Sequence, residues 1–142
     1  MNRPWLPLRR AATAFALGAA LTACLAPAVA AQSEFPFGRE FLLDTRPMKG
    51  SKSVPMLDIA TNGLAEIDLW CDSVKGQLVV AGNTITILTG ERIKSTRACT
   101  PERVSGDDDV LKALNEVTTW RLEGDVLVLI GTREMRFRAQ TN

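Results

Sequence analysis

The stretch from Leu64 to Cys99 constrains the fold of this chain more than any other part of its sequence. Small or apolar residues take every second position from 65 to 71, and a period of two is typical of a half-buried antiparallel strand. Two further apolar runs flank Gly82-Asn83, and glycine in the first place favours a type II′ hairpin turn. The stretch therefore predicts consecutive antiparallel hairpins, with Ile85 and Ile87 facing the core.

The first 31 residues have the pattern of a secretory signal peptide. A basic start precedes an Ala-rich apolar run over 11–26, which is too short for a membrane-spanning helix, and small residues precede a mature start at Ala31 or Gln32. The same segment contains Leu21-Thr22-Ala23-Cys24, which resembles a bacterial lipobox. In that alternative, residues 1–23 are a lipoprotein signal, and Cys24 carries the lipid that tethers the protein. We therefore expect a periplasmic or secreted protein, with a lipid-anchored envelope lipoprotein as the alternative.

Cys71 and Cys99 are the cysteines that remain once Cys24 is removed or lipidated. An even pair in an exported protein is most simply a disulfide. This bridge would close a loop of about 29 residues, which the chain-entropy model values at roughly 3.5 kcal/mol. That contribution is large in a small domain, whose total stability is on the order of 5–10 kcal/mol. A redox-active or metal-binding pair usually has the closer Cys-x-x-Cys spacing, so we predict a structural Cys71–Cys99 disulfide.

Histidine is absent from the whole sequence, and the charges nearly balance. Without histidine a Ser-His-Asp or Cys-His site is excluded, and a zinc site would need cysteine and carboxylate ligands alone. Three of the 17 basic residues and none of the 16 acidic residues fall within the signal, so the mature chain has a net charge of about −2. This balance gives no support for a nucleic-acid partner. We predict no catalytic residues, no cofactor, no metal, and membrane attachment only through a lipidated Cys24.

Residues 32–53 form a lead-in with a first strand over 40–44, and the domain itself is predicted over 54–142. A second strand over 54–59 is followed by Asn62-Gly63. Between two apolar runs this pair indicates a type I′ hairpin turn, in which both central residues need positive φ.

A helix is predicted over 110–117, after a loop over 95–103 that contains Pro101. Its apolar residues recur at helical spacing. Ser105 or Asp107 can cap this helix, and the acidic triplet 107–109 would lie in its first turn, where the helix dipole favours negative charge. The triplet lacks the spaced ligands of a calcium loop.

Three closing strands are predicted over 118–123, 126–130 and 134–139, with Gly124-Asp125 as a second hairpin turn that begins with glycine. The basic residues near the last strand are Arg133, Arg136 and Arg138. We expect them to form a solvated face, with an anionic partner as the alternative.

The order of these parts resembles the META domain, the family of HslJ-like bacterial envelope proteins. The matching residues are Cys71-Asp72, Gly76, Ser95-Thr96-Arg97-Ala98-Cys99, Leu111, Leu114, Val117, Trp120, Gly124-Asp125-Val126-Leu127-Val128-Leu129 and Arg136-Phe137. The family usually has Gly-Cys-Asn where this chain has Trp70-Cys71-Asp72. The resemblance implies a small α+β domain, an antiparallel curved sheet or partial barrel packed on one helix. It also implies a broad link with envelope stress, and it brings no catalytic residue or cofactor.

Three functions follow as hypotheses. We expect a non-enzymatic envelope domain, a binding or stress-related accessory protein whose partner is an unidentified envelope protein or ligand. The alternative is a periplasmic inhibitor or ligand-binding module acting on an exported hydrolase, with a loop over 46–53 or 91–97 inserted into its cleft. A third is a carboxylate enzyme that uses Asp68 and Asp72, which would share one side of an ideal strand.

Overall fold

The structure, a computed structural model, describes residues 34–141. Eight strands and one helix follow one another in this part of the chain: β1 (Arg39–Leu43), β2 (Met56–Ile59), β3 (Leu64–Asp68), β4 (Ser73–Ala81), β5 (Thr84–Ile93), α1 (Pro101–Asn115), β6 (Thr119–Glu123), β7 (Val126–Ile130) and β8 (Glu134–Ala139). The predicted export signal and Cys24 lie outside the described residues.

All neighbouring strands pair antiparallel, and the sheet curves until its first and last strands meet. β1 pairs with β8 through three residue pairs, such as Phe41 with Ala139. The junction of β5 with β6 is much weaker, because it consists of the single pair Thr84 and Thr119. The helix lies in the chain between these two strands and packs against β5. The predicted α+β class, with a small antiparallel curved sheet or partial barrel on one helix, is confirmed.

The closed sheet has two different ends. The connections 44–55, 69–72, 94–118 and 131–133 lie at one end, which we call the helix end because it carries α1. The short turns 60–63, 82–83 and 124–125 lie at the other end, which we call the hairpin end. Residues 34–38 and 140–141 also lie at the hairpin end, where the N–H of Gln140 donates to the carbonyl of Glu40 (2.9 Å).

The three short turns follow from glycine. Gly82 and Gly124 both have φ of 60°, while no non-glycine residue of the described chain has positive φ. Both turns are therefore type II′, as predicted. The Asn62-Gly63 hairpin forms, but its predicted type I′ turn is wrong, because only Gly63 has positive φ (81°). The N–H of Ala60 donates instead to the backbone carbonyl of Leu64 (2.8 Å). The connection is therefore a three-residue loop, which ends with Gly63 in the left-handed region.

The core lies inside the closed sheet and under α1. The alternation predicted for the Leu64–Cys99 stretch holds, since Ile67, Ile85 and Ile87 are all buried. Strand β3 ends at Asp68 rather than at Cys71, however. The chain reverses there, with the N–H of Leu69 donating to the carbonyl of Asp72 (2.9 Å). The most deeply buried apolar side chains of this core are Phe41, Leu57, Ile59, Ile67, Val74, Leu114, Leu127, Leu129 and Phe137.

The helix begins earlier than the sequence analysis predicted. Thr100 is its N-cap and Pro101 its first residue, so the predicted loop over 95–103 is wrong in its second half. Proline suits this position because its fixed φ fits the helix and its missing N–H would be unpaired there in any case. The Thr100 side chain accepts from the N–H of Arg103 (3.4 Å), and neither Ser105 nor Asp107 caps the helix.

Aromatic residues close the hairpin end. Phe35 is buried and meets the Trp120 ring edge-on, with 4.9 Å between ring centroids. The Trp120 indole N–H donates to the carbonyl of Gly82 (2.9 Å). The segment before β1 is therefore part of the folded domain, because its phenylalanine completes this end of the core.

Candidate binding cleft

The 69–72 turn, between β3 and β4, is tied to the helix by the predicted disulfide. In the structure Cys71 and Cys99 are joined, with 6.0 Å between their Cα atoms. Cys99 directly precedes the N-cap Thr100, so the bridge attaches the start of α1 to the turn.

A buried carboxylate makes a second connection between α1 and the same turn. Asp107 has no solvent exposure, and its Oδ1 accepts from the backbone N–H of Trp70 (2.9 Å). Its Oδ2 accepts from the N–H groups of Cys71 (3.1 Å) and Asp72 (3.0 Å). Burial raises the pKa of Asp107 above its ordinary value, against the lowering effect of the three N–H donors. Asp107 was predicted to favour the first turn of the helix through the dipole, and that interpretation is wrong because it lies one turn further on.

Asp68 and Asp72 do not form the carboxylate pair considered in the sequence analysis. Asp72 lies in the turn, outside β3, and accepts from the backbone N–H of Ser95 (2.9 Å). It also lies 3.7 Å from the guanidinium of Arg92, which pairs in turn with Asp108. These contacts give Asp72 a structural role in holding the segment before the helix.

An open cleft of about 370 Å³ lies at the helix end, beside the 69–72 turn. Four separated parts of the chain line it: the end of β1 with the β1–β2 connection, the 69–72 turn, the helix, and the start of β8 with the residue before it. The residues used in the argument below are Met48, Trp70, Gly106, Asp109, Val110 and Arg133. Its volume lies within the range of small-molecule sites, which begins at about 300 Å³.

The floor of the cleft depends on Gly106. A Cβ at this position would overlap the methyl group of Met48 and would lie 3.1 Å from the Trp70 ring. Glycine therefore lets Met48 and the indole pack directly on the helix backbone. The Trp70 indole N–H is buried there without a hydrogen-bond partner in the described chain. Trp70 is also one of the two positions, with Asp72, at which this sequence differs from the usual Gly-Cys-Asn of the family it resembles.

We expect Gly106→Ala to lower the free energy of unfolding by up to about 2 kcal/mol. Alanine gains up to about 1 kcal/mol in helix propensity, but overpacking costs typically about 1–3 kcal/mol. Urea unfolding would measure the net change, with Ser105→Ala at an exposed helical neighbour as the control. A stabilised Gly106→Ala protein would show that Met48 and Trp70 are not packed on the helix.

Most charges around the cleft are already neutralised. Arg121, Glu123, Glu134 and Arg136 form a closed ring of ion pairs on the outer face of β6–β8, and hydrogen bonds from Arg121 and Arg136 lower the pKa of Glu123. The ring covers Val128, which is fully buried. Because Arg136 and Glu134 are paired within this ring, neither has an unpaired charge to offer a ligand in the cleft.

The arginines predicted as one basic face have separate roles. Arg136 belongs to the ion-pair ring, and Arg138 pairs with Asp44 (3.4 Å). Arg133 precedes β8 and donates to the backbone carbonyl of Asp109 on the helix (2.9 Å). The face is thus solvated, as expected, and only Arg133 of the three has no carboxylate within 4.0 Å among residues 34–141.

Sequence reasoning did not find the cleft. Met48 and Gly106 were not singled out, because nothing local in either segment shows that the two meet. The loop over 46–53 does border the cleft through Met48. The other proposed inserting segment, 91–97, is part of β5 up to Ile93.

In the described residues no helix has the length and apolar character needed to cross a membrane. Nor does any group of three or more His, Cys, Asp or Glu side chains there form a metal site.

Comparisons with known proteins match both sequence and fold. The META domain family matches residues 39–142, so the match includes β1 and the rest of 39–53, which the sequence analysis placed in the lead-in. A search of curated proteins found no significant match.

Two solved structures are similar to this chain at low sequence identity. An NMR structure of a protein from Burkholderia xenovorans matches 82% of this chain and 98% of its own, with 16% identity and a TM-score of 0.56. A crystal structure of a DUF4847 family protein from Bacteroides vulgatus matches 62% of this chain, with 16% identity and a TM-score of 0.49. The present chain spans 60% of the length of that Bacteroides protein. The Burkholderia structure supports the fold alone. The family match, in contrast, covers most of the sequence and every strand of the closed sheet, and the chain therefore belongs to the META domain family.

Proposed function

We propose that this protein is an exported, non-enzymatic binding domain, which recognises another component of the cell envelope through the cleft at its helix end. The observation that carries the proposal is the cleft itself, with its apolar floor of Met48, Trp70 and Val110 and its charged rim. Concave sites with an apolar lining and a few polar groups are the usual place for binding.

The construction of the cleft supports a binding role. Trp70 lies in a turn that is attached to α1 by both the disulfide and the Asp107 carboxylate. A floor held in this way loses little conformational freedom when a partner binds, and preorganisation of this kind favours affinity. The disulfide also fits an oxidising compartment, as the signal-like first 31 residues suggest.

The chemistry of the chain supports the non-enzymatic part of this proposal. The sequence contains no histidine, so the commonest general base is missing. The carboxylate Asp72, considered as a catalytic group, is occupied by Ser95 and Arg92. Asp107 is fully buried behind the turn.

Site-specific photo-crosslinking in intact cells tests this function. A photoreactive phenylalanine at Thr45, an exposed residue of the cleft rim, should give one dominant adduct. The same probe at Thr86, an exposed residue on β5 that does not line the cleft, is the control. The Thr45 adduct should disappear when Arg133→Glu is added. Equal adducts from both positions, or no effect of Arg133→Glu, would contradict a role for the cleft.

The identity of the cross-linked partner distinguishes the accessory binding role from the alternative, an inhibitor of an exported hydrolase. An exported hydrolase captured at Thr45 and inhibited by the purified protein would favour the inhibitor hypothesis. A structural envelope component, or a small molecule, would favour the accessory binding role.

A further inference from the structure

Two opposite charges in the cleft lack an ionic partner. Among residues 34–141, neither Arg133 nor Asp109 has an opposite charge within 4.0 Å, although both line the cleft. The other ionised groups of the lining are neutralised, Asp44 by Arg138 and the Glu134–Arg136 pair within the ion-pair ring.

A hydrogen bond joins the two charged residues. Arg133 Nη2 donates to the backbone carbonyl of Asp109 (2.9 Å), which holds the guanidinium beside the helix residue that carries the carboxylate. The apolar floor of Met48, Trp70 and Val110 lies in the same cleft. A cation, an anion and an apolar surface are therefore present together.

We propose that the cleft binds a free α-amino acid with an apolar side chain. Its carboxylate pairs with the Arg133 guanidinium, which suits carboxylate geometry, and its ammonium group pairs with Asp109. Its side chain lies on Met48 and Trp70. This inference rests on the proposed function in one respect, the use of the cleft as the binding surface, and it adds the class of ligand.

A zwitterion matches these two residues better than a single charge does. A simple carboxylic acid would pair with Arg133 but would place its charge near Asp109. A simple amine would pair with Asp109 but would lie near Arg133. In an α-amino acid one carbon separates the two charged groups, so both can face adjacent partners of opposite sign. Like charges brought together in a binding site are unfavourable, and only the zwitterion avoids this contact.

Two tryptophans make the test direct. Trp70 lies at the floor of the cleft, whereas Trp120 lies at the hairpin end, and the remaining one, Trp5, is within the predicted signal. Heteronuclear NMR of the processed, disulfide-bonded protein, titrated with L-leucine, should shift the Trp70 indole signal saturably and leave that of Trp120 unchanged. The matched probes are 4-methylpentanoate, which lacks the ammonium group, and 3-methylbutylamine, which lacks the carboxylate. Each should bind at least tenfold more weakly than leucine.

Variants assign each charge to its partner. Arg133→Gln should lower the affinity for leucine at least tenfold, so that leucine binds no more tightly than 3-methylbutylamine. Asp109→Asn should lower the affinity for leucine by a similar factor, so that leucine binds no more tightly than 4-methylpentanoate. Both changes keep the side chain near its native size, and unfolding midpoints near wild type would confirm that the fold is intact.

The inference is wrong if leucine leaves the Trp70 signal unchanged, or if either truncated probe binds as tightly as leucine. Failure here remains distinguishable from failure of the proposed function. A Thr45 adduct that depends on Arg133, together with no response to leucine, would retain the binding role and reject the amino acid. A response to leucine without any such adduct would support the small ligand and reject an envelope partner.

Discussion

Replacing Asp107 with alanine should lower the free energy of unfolding by about 3–4 kcal/mol. The substitution leaves the backbone N–H groups of Trp70, Cys71 and Asp72 without their acceptor. A buried donor that loses its partner costs on the order of 1–3 kcal/mol, and bonds to charged acceptors are at the upper end. The total falls below the sum because solvent can reach part of the turn. Urea unfolding followed by circular dichroism would measure the change.

Asp108→Ala is the matched control, since it removes the next carboxylate along the same helix. The Asp108 side chain is 61% exposed and pairs with Arg92 at the surface, and such pairs contribute about 0–1 kcal/mol. A large difference between the two neighbouring aspartates is the expected result. Similar losses in both variants would contradict the role of Asp107 as the acceptor for the turn.

The pH dependence of stability should carry the signature of Asp107. Burial raises its pKa in the folded protein above the ordinary value of 3.8, so the folded state binds this proton more tightly than the unfolded state does. The contribution of this group to stability therefore falls as pH rises through the window above 3.8 and is greatest at the acidic side. Asp107→Asn has no such proton. The free energy of unfolding of wild type minus that of Asp107→Asn should increase from pH 7 to pH 4, and a constant or decreasing difference would contradict it.

Removing the disulfide should lower the free energy of unfolding by about 3.5 kcal/mol. This loss is similar to that expected for Asp107→Ala, but its mechanism is different. The residues that the disulfide joins are 28 apart in sequence, and the cross-link mainly restricts the unfolded chain. The double variant Cys71→Ser, Cys99→Ser avoids a leftover thiol and is the form to compare with the oxidised protein. We expect it to fold, because Asp107 still holds the 69–72 turn to the helix.

The disulfide and the Asp107 hydrogen bonds together should account for most of the stability of the domain. A triple variant with Asp107→Ala and both serines should lose roughly 7 kcal/mol, which is comparable to the total stability of a domain this small. It should therefore be largely unfolded at 25 °C by circular dichroism. If the triple variant melted as cooperatively as the double variant, the helix end would not depend on these contacts.

Local patterns in the sequence predicted the sheet well. The alternation before Cys71 and the two turns that begin with Gly82 and Gly124 are local signals, and the structure contains the corresponding hairpins. The single helix was predicted from its apolar spacing, and the family resemblance added the curvature of the sheet into a partial barrel packed on that helix. The Cys71–Cys99 pairing followed from the cysteine count and the export signal together, since only one pair remained.

The helix end was predicted poorly because its interactions join distant segments. A Thr-Pro pair does signal a helix start, and the start at Pro101 was missed because the acidic triplet gave a competing signal downstream. The burial of Asp107 has no local signal at all. Its three partners lie 35 to 37 residues earlier, in a turn whose reversal after Asp68 interrupts the alternation. Met48, Gly106 and Arg133 likewise come together only in the fold.

The position of the two ends of the described chain determines how this protein can be attached to a tag or a surface without blocking the cleft. Residues 34–38 and 140–141 both leave the domain at the hairpin end, while the cleft opens at the helix end. A tag, a fusion partner or a sensor surface attached on either side of residues 34–141 therefore leaves the cleft accessible. A lipid on Cys24, eleven residues before Phe35, would attach the domain by that same end. The chain ends and the proposed binding cleft thus lie at opposite poles of the domain.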